Sequence, residues 1–161
     1  MIFTGRGLFV LKDFKYTSSL INCNDIAITG YSGKDEKVMV PEKIHGRQVT
    51  EIKSWTFAGK QTIKEIIIPN GVFSIGSFTF EKCHKLEKIT FPESLRVIFV
   101  DVFKDCPSLK TICFQGTEEQ WNEILIHSRD RLSNVKIKFN ESSKLSQFLN
   151  DCKDAEELRK E

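Results

Sequence analysis

Nowhere does the 161-residue sequence approach the ~20 consecutive apolar residues that a membrane-crossing helix needs. Near the N-terminus, Leu8-Phe9-Val10-Leu11 is too short for the core of a signal peptide, which leaves two readings, an intracellular chain or a piece of a longer one. Charge of one sign is equally scarce. The 24 basic and 22 acidic residues leave a formal charge of +2, too weak a field to argue for nucleic acid or an anionic membrane. The five cysteines are odd in number and lack paired Cys-x-x-Cys spacing, which argues against a disulfide framework and against a zinc site. No glycine-rich loop follows a strand in the way a phosphate site requires. His45, His84 and His127 fall in three different registers. His84 beside Cys83 is the nearest thing to a nucleophile and base, yet Cys106 shares the repeat column of Cys83 with no histidine next to it. The sequence therefore predicts no enzyme, no cofactor and no metal.

What the sequence does have is a repeat. The segment IKEIIIPNGVFSIGSFTFEKCHK is followed by LEKITFPESLRVIFVDVFKDCPS and then by LKTICF, a period of 23 residues. A four-row frame from residue 47 gives five columns that are apolar in every row. They are Ile52/Ile75/Ile98/Trp121, Phe57/Phe80/Phe103/Ile126, Ile63/Leu86/Leu109/Leu132, Ile66/Ile89/Ile112/Val135 and Ile68/Phe91/Phe114/Ile137. At 40% apolar composition, only about 0.6 such columns are expected by chance. A fixed period in this range is the signature of a solenoid, in which each unit buries its apolar face only against its neighbours.

The columns Ile63-x-x-Ile66-x-Ile68, Leu86-x-x-Ile89-x-Phe91 and Leu109-x-x-Ile112-x-Phe114 match the L-x-x-L-x-L half of a leucine-rich repeat. Pro after the strand, Ile-Gly before a Phe and Cys-x-x-Leu closing the unit resemble the bacterial surface-antigen, BspA-like type of that repeat, over roughly residues 26 to 139. The asparagine of the common leucine-rich repeat is absent. Gly76 is matched by Lys53 and Phe99 in the neighbouring rows, so the turn predicts no glycine-only backbone. The resemblance implies bacterial cell-surface or secreted proteins that bind other proteins, with no identified ligand.

The expected fold is α/β: a short right-handed leucine-rich-repeat solenoid with one parallel-strand ladder and with short extended pieces and helical turns on its other sides. Residues 1–37 form an N-terminal cap, built on a hairpin of Phe14 to Tyr16 and Ile26 to Ile28. Residues 38–139 hold the repeats and 140–161 a C-terminal helix, all within one structural domain. Val38 lies 28 residues before Ile66, which places a five-residue insertion around His45-Gly46-Arg47. Thr117-Glu118-Glu119-Gln120 is a capping box that opens a helix. From Ser143, Leu145, Phe148, Leu149, Cys152 and Leu158 share one helical face, which either packs on the last rung or docks on a partner.

With no catalytic constellation, the candidate site is a surface. Alternation around the inward Ile66 and Ile68 aligns Met39, Ile67, Thr90, Cys113 and Lys136 along the outer face of the ladder, beside Glu65, Lys88, Thr111 and Asn134. Trp55 over Phe78, with Phe99 nearby, is the alternative. The predicted function is a monomeric, non-enzymatic protein-interaction or adhesion module with a protein partner. A carbohydrate-binding module using Trp55 and Phe78 as a stacking platform, or a spacer in a larger surface protein, are the alternatives. Cys83 and Cys106 are predicted to be buried free thiols, because side chains of adjacent rungs point in parallel.

Overall fold

A computed structural model describes residues 2–3, 8–9 and 11–140 of the chain. Its strands are β1 (Ile2–Phe3), β2 (Leu8–Phe9), β3 (Phe14–Ser18), β4 (Ile26–Tyr31), β5 (Lys37–Met39), β6 (Lys43–Ile44) and β7 (Arg47–Ile52) in the first part of the chain. They continue as β8 (Glu65–Ile67), β9 (Ser74–Ile75), β10 (Lys88–Phe91), β11 (Val97–Ile98), β12 (Thr111–Phe114), β13 (Leu125–Ile126) and β14 (Lys136–Phe139). The described helix is confined to α1 (Glu118–Glu123) and to 3₁₀ turns at Leu11–Asp13 and Arg129–Leu132. None of it is long and apolar enough to cross a membrane.

The chain winds as a parallel β-solenoid with two sheets where one ladder was expected. The first sheet runs β14-β12-β10-β8-β5, every pairing parallel. The second runs β13-β11-β9-β7-β4 in parallel and ends on the antiparallel β3. The third side is not helical. Trp55, Phe78 and Asp101 have φ of 58°, 58° and 55°, a left-handed conformation that ends any helical turn. The amides there reach to the next row: Trp55 N–H donates to Ser77 O at 3.1 Å, Phe57 to Thr79 at 2.9 Å, Phe78 to Val100 at 3.1 Å and Phe80 to Val102 at 3.0 Å. A donor already used between rows is unavailable to an i→i−4 bond, so the α/β assignment gives way to a β-solenoid of short strands and turns with little helix.

Core packing follows the ladders. Ile66, Ile89 and Ile112 are fully buried in register, as is Ile75, with its neighbours Ile52 and Ile98 each 1% exposed. Rows spaced ~4.8 Å apart bring successive aromatic rings into contact. Phe14, Tyr31, Phe57, Phe80 and Phe103 form one column, with centroid separations of 5.0, 5.5, 5.6 and 6.0 Å along it. The β3/β4 hairpin extends the second sheet beyond β7 and adds two rings to the column. Arg47 pins its connecting loop, donating to the carbonyls of Cys23, Asn24 and Asp25.

Both end rows are longer than the inner ones, and in the same leg. From the first sheet to the second takes nine residues in the inner rows, Ile66 to Ile75 and Ile89 to Ile98. It takes fourteen from Val38 to Ile52 and from Ile112 to Ile126. In the first row β6 and β7 fill the extra length as a hairpin turning on His45 and Gly46, both with positive φ, where the insertion was expected. In the last row α1 fills it, opened by the expected capping box of Thr117 and Gln120. That insertion shifts the register. Ile112 pairs with Ile137 and Phe114 with Phe139, so Val135 leaves the column given to it, and Ile126, in place of Trp121, stands opposite Ile98. The predicted helix from Ser143 lies outside the described residues.

Gly76 meets the expectation on backbone conformation but is constrained by space. Its φ is not positive, in line with the non-glycine residues that replace it in adjacent rows, but an added Cβ would meet the backbone of Ser54 and lie 2.7 Å from Lys53 C. Backbone cannot move aside without breaking the ladder, so Gly76→Ala is expected to lower stability by about 1–3 kcal/mol. Thr50 offers the opposite test. Its hydroxyl is buried without a partner among the described residues. Thr50→Val removes that unsatisfied group and is expected to match or exceed the wild type by up to about 1 kcal/mol. Paired denaturant melts read both, and a Gly76→Ala protein as stable as wild type would refute the close-approach account.

Candidate functional site

On the outer face of the first sheet, Met39, Ile67, Thr90 and Cys113 align in register as the sequence predicts, each half-buried. Lys136 does not join them. It pairs with Thr111, and Lys138 stands opposite Cys113, because the last row carries two residues more than the repeat period. The flanking row is therefore Lys37, Glu65, Lys88, Thr111 and Lys136. Glu65 sits 3.0 Å from both Lys37 and Lys88. Burial alone would raise its carboxyl, but the hydrogen bonds and charges of Lys88 and Lys37 outweigh that and hold it below the usual carboxylate range.

Trp55 and Phe78 stack with centroids 5.4 Å apart and planes 7° from parallel. Lys104 Nζ lies 5.6 Å over the Phe78 ring and 3.4 Å from Glu81. Phe99 is not part of this stack; it packs on His127 at 5.6 Å. With Phe78 covered by Trp55 and Lys104, only Trp55 has an outer face open for stacking. It is 60% exposed.

The thiols and imidazoles stay apart. Cys83 Sγ donates to Phe57 O at 3.0 Å and Cys106 Sγ to Phe80 O at 2.9 Å, the same bond in successive rows. Burial is the main cause that pushes Cys83 up to about 11 and Cys106 up to about 12. His45 bonds Tyr16, His84 bonds Gln61, and His127 stacks on Phe99. An open hollow of about 480 Å³ does collect His84, Asp105, Cys106 and Arg131. Its thiol is committed to Phe80 O, and Arg131 to Asp101 at 2.6 Å, so no activated nucleophile results. No group of three or more His, Cys, Asp or Glu side chains among the described residues could hold a metal ion.

Sequence reasoning missed the outer face of the second sheet. Seven large apolar side chains are exposed among the described residues, and Ile21 and Phe99 of these line a groove on this sheet. Leu20 and Ile21, 91% and 71% exposed, tip the β3–β4 loop; Trp55 follows β7, Phe99 and Val100 follow β11, Leu125 is in β13, and Tyr16 is in β3. A groove of about 430 Å³ runs between Ile21, Phe73, Val97 and Phe99 with Gly76 in its lining. At one end Glu51, only 4% exposed, accepts from Ser19 Oγ and from Lys53 Nζ at 2.6 Å. That carboxylate is already matched, which leaves the groove neutral and largely apolar. One sequence signal pointed here, the lone glycine at 76 between Lys53 and Phe99, which leaves a notch between two long side chains.

Stacked parallel strands of this period, with L-x-x-L-x-L cores, define a leucine-rich-repeat solenoid. The family model for the BspA type leucine rich repeat region matches residues 36–156 in six copies, and the chain belongs to that family. Families of this kind supply protein-interaction or structural repeat modules. A T. pallidum leucine rich repeat protein is similar in structure at a TM-score of 0.61 and 27% identity, over 81% of this chain. The chain spans 64% of the length of that protein. A leucine-rich repeat protein from Bacteroides capillosus shares the fold at a TM-score of 0.65 and 17% identity, over 80% of this chain and 94% of that one. A leucine rich cell surface protein from Faecalibacterium prausnitzii does so at 0.57 and 16%, over 86% and 44%. A search of curated proteins gave no match.

The thiol geometry predicts both reactivity and pH dependence. Cys23 is exposed and is expected to react first with an aromatic disulfide at pH 8, ahead of Cys113 and of Cys106, which is half-buried where full burial was expected but donates to Phe80 O; Cys83 stays silent until the chain unfolds. Raised folded-state values mean that Cys83 and Cys106 hold their protons where the unfolded thiols, near 9.0, lose them. Their contribution is therefore full below about pH 9 and lost as pH rises through about 11 to 12. Melting temperature is expected to fall more steeply over that window in the wild type than in Cys83→Ala/Cys106→Ala. Equal slopes would contradict the burial account.

Proposed function

We propose that the chain is a non-enzymatic protein-binding module of the adhesion type that the family resemblance implies, and that its contact surface is the groove face of the second sheet. The observation that carries this is the groove itself, where the exposed Ile21 and Phe99 meet Phe73 and Val97 across the outer face of the second sheet. Apolar surface that clusters in this way marks a binding surface more often than scattered single residues do. Ile21, Phe73, Val97 and Phe99 around a 430 Å³ groove form an anchor pocket for an apolar side chain of a partner, and the paired Glu51 and Lys53 supply a polar rim. The row Met39, Ile67, Thr90 and Cys113 is the less favoured surface for this role, since its members are half-buried. A carbohydrate platform at Trp55 and Phe78 is disfavoured for the same kind of reason, with one ring face left open.

A peptide-display selection on the immobilised protein tests the assignment. Peptides enriched on the wild type are expected to bind Ile21→Asp/Phe99→Asp at least about tenfold more weakly, because the added charges must be desolvated without counter-ions. They should bind Ile67→Asp/Thr90→Arg unchanged. Both double variants change exposed or half-buried side chains and should melt with the wild type. Loss of binding confined to Ile67→Asp/Thr90→Arg would move the site to the first sheet, and loss in neither would refute a site on either face.

A further inference from the structure

The outer face of the first sheet carries a charge pattern that changes abruptly along the solenoid. Its two polar columns alternate in sign through the first three rows: Glu36 and Lys37, then Lys64 and Glu65, then Glu87 and Lys88. The alternation is used. Lys64 pairs with Glu36 at 2.9 Å, and Glu65 bridges Lys37 and Lys88. The fourth row breaks it, because Thr111 stands where the pattern calls for an acid. Lys110, Lys136 and Lys138 follow, all exposed, and none makes an ion pair among the described residues. Glu87 is the one carboxylate beside Lys110 in its column, and that column's hydrogen-bonded ladder continues to Lys136. Lys136 and Lys138 project from the same face of β14, two residues apart, so their like charges repel, and neither is paired with a carboxylate among the described residues.

We propose that this end of the first sheet is a second, separate docking surface, and that its occupant is an acidic, extended segment of a protein partner carrying an apolar residue. Carboxylates two residues apart on an extended peptide are spaced ~6.6 Å, the same interval that separates Lys136 from Lys138 along β14. The half-buried row of Ile67, Thr90 and Cys113 runs beside the lysines and gives an apolar side chain a seat. Three lysines suit a short acidic peptide better than a nucleic acid. A duplex or long single strand draws its affinity from neutralising about 6–10 phosphates, more cations than this surface offers. Lysines with no ion pair among the described residues gain from such a partner, since its carboxylates remove their mutual repulsion.

Fluorescence anisotropy of the full chain with a short glutamate-rich peptide bearing a central leucine tests this. Binding is expected at low salt, weakening as salt shortens the screening length towards ~3 Å. Lys136→Glu/Lys138→Glu is expected to weaken it at least about tenfold. Phe99→Asp should leave it unchanged, which separates this surface from the groove. If the double variant does not fold, Lys110→Glu supplies the same readout from a different row. Four outcomes overturn the proposal: no binding at low salt, equal binding by the charge-reversed protein, equal binding of a lysine-rich counterpart peptide, or preferential binding of a thymidine oligonucleotide. A dimer seen by sedimentation that Lys136→Glu/Lys138→Glu dissociates would assign the face to a second copy and overturn it too.

Discussion

Every row of this solenoid hands its backbone amides to the next, and the rest of the structure is arranged so that this transfer is never interrupted. Two parallel hydrogen-bond ladders run through the sheets, and a third, on the turn side, joins the three rows from residues 55–59 to 100–104. Satisfying the turn-side ladder requires left-handed backbone at Trp55, Phe78 and Asp101, and again at Gly59, Lys82 and Asp105. For a non-glycine residue that conformation costs roughly 1–2 kcal/mol. An unpaired buried amide costs about 1–3 kcal/mol, and two left-handed residues in one row, such as Trp55 and Gly59, let three amides pair, those of Trp55, Phe57 and Gly59. The same spacing dictates the ring column of Phe57, Phe80 and Phe103. It also dictates the thiol bonds of Cys83 and Cys106, each of which satisfies a carbonyl one row back.

A constraint of that kind says where the chain can vary. Extra residues are tolerated only where they can leave the ladders and return in register, and both end rows use the leg between the first and second sheets. Five residues become a hairpin on His45 and Gly46 in one row and α1 in the other. The physical requirement is the same, since each insertion must satisfy its own backbone. β6 and β7 do so by pairing with each other, and α1 does so internally with Thr117 and Gln120 at its start.

The repeat was legible because its inward columns are long and uniform. The register of the last row was not, and the reason lies in the two-fold periodicity of strands. Sliding β14 by two residues leaves every side chain on the same face, so Val135 and Ile137 satisfy an apolar column equally well. Only the extra residues around α1, offset by a shorter return leg, decide between them. The helical turns were misread for a related reason. Phe78 to Cys83 carries apolar residues at spacings that fit a turn of helix, and nothing in composition announces that Phe78 and Lys82 adopt positive φ. The groove face was hidden more deeply. It depends on the β3–β4 loop, which lies outside the repeat, folding beside the second sheet so that Ile21 faces Phe99 and Ser19 closes on Glu51.

The two outer faces divide the chemistry of the molecule between them, and the division follows from how each sheet fills its outward columns. On the first sheet those columns are long side chains of alternating sign, which pair across strands as far as Lys88; among the described residues the lysines beyond Thr111 make no ion pair. On the second sheet they are mixed in size, with Lys53, Gly76 and Phe99 in successive rows. Mixed sizes make relief, and relief makes a groove. Gly76 is fixed by the backbone of Ser54 one row away, so the notch it leaves is as rigid as the ladder itself. A pocket whose floor is set by inter-row hydrogen bonding needs little ordering to receive a partner, because the entropy of shaping it was already spent in folding. The surface lysines of the first sheet are the contrary case. Long, exposed and mobile about several torsions, they act over distance through charge, so the fold presents one face suited to shape and one suited to steering.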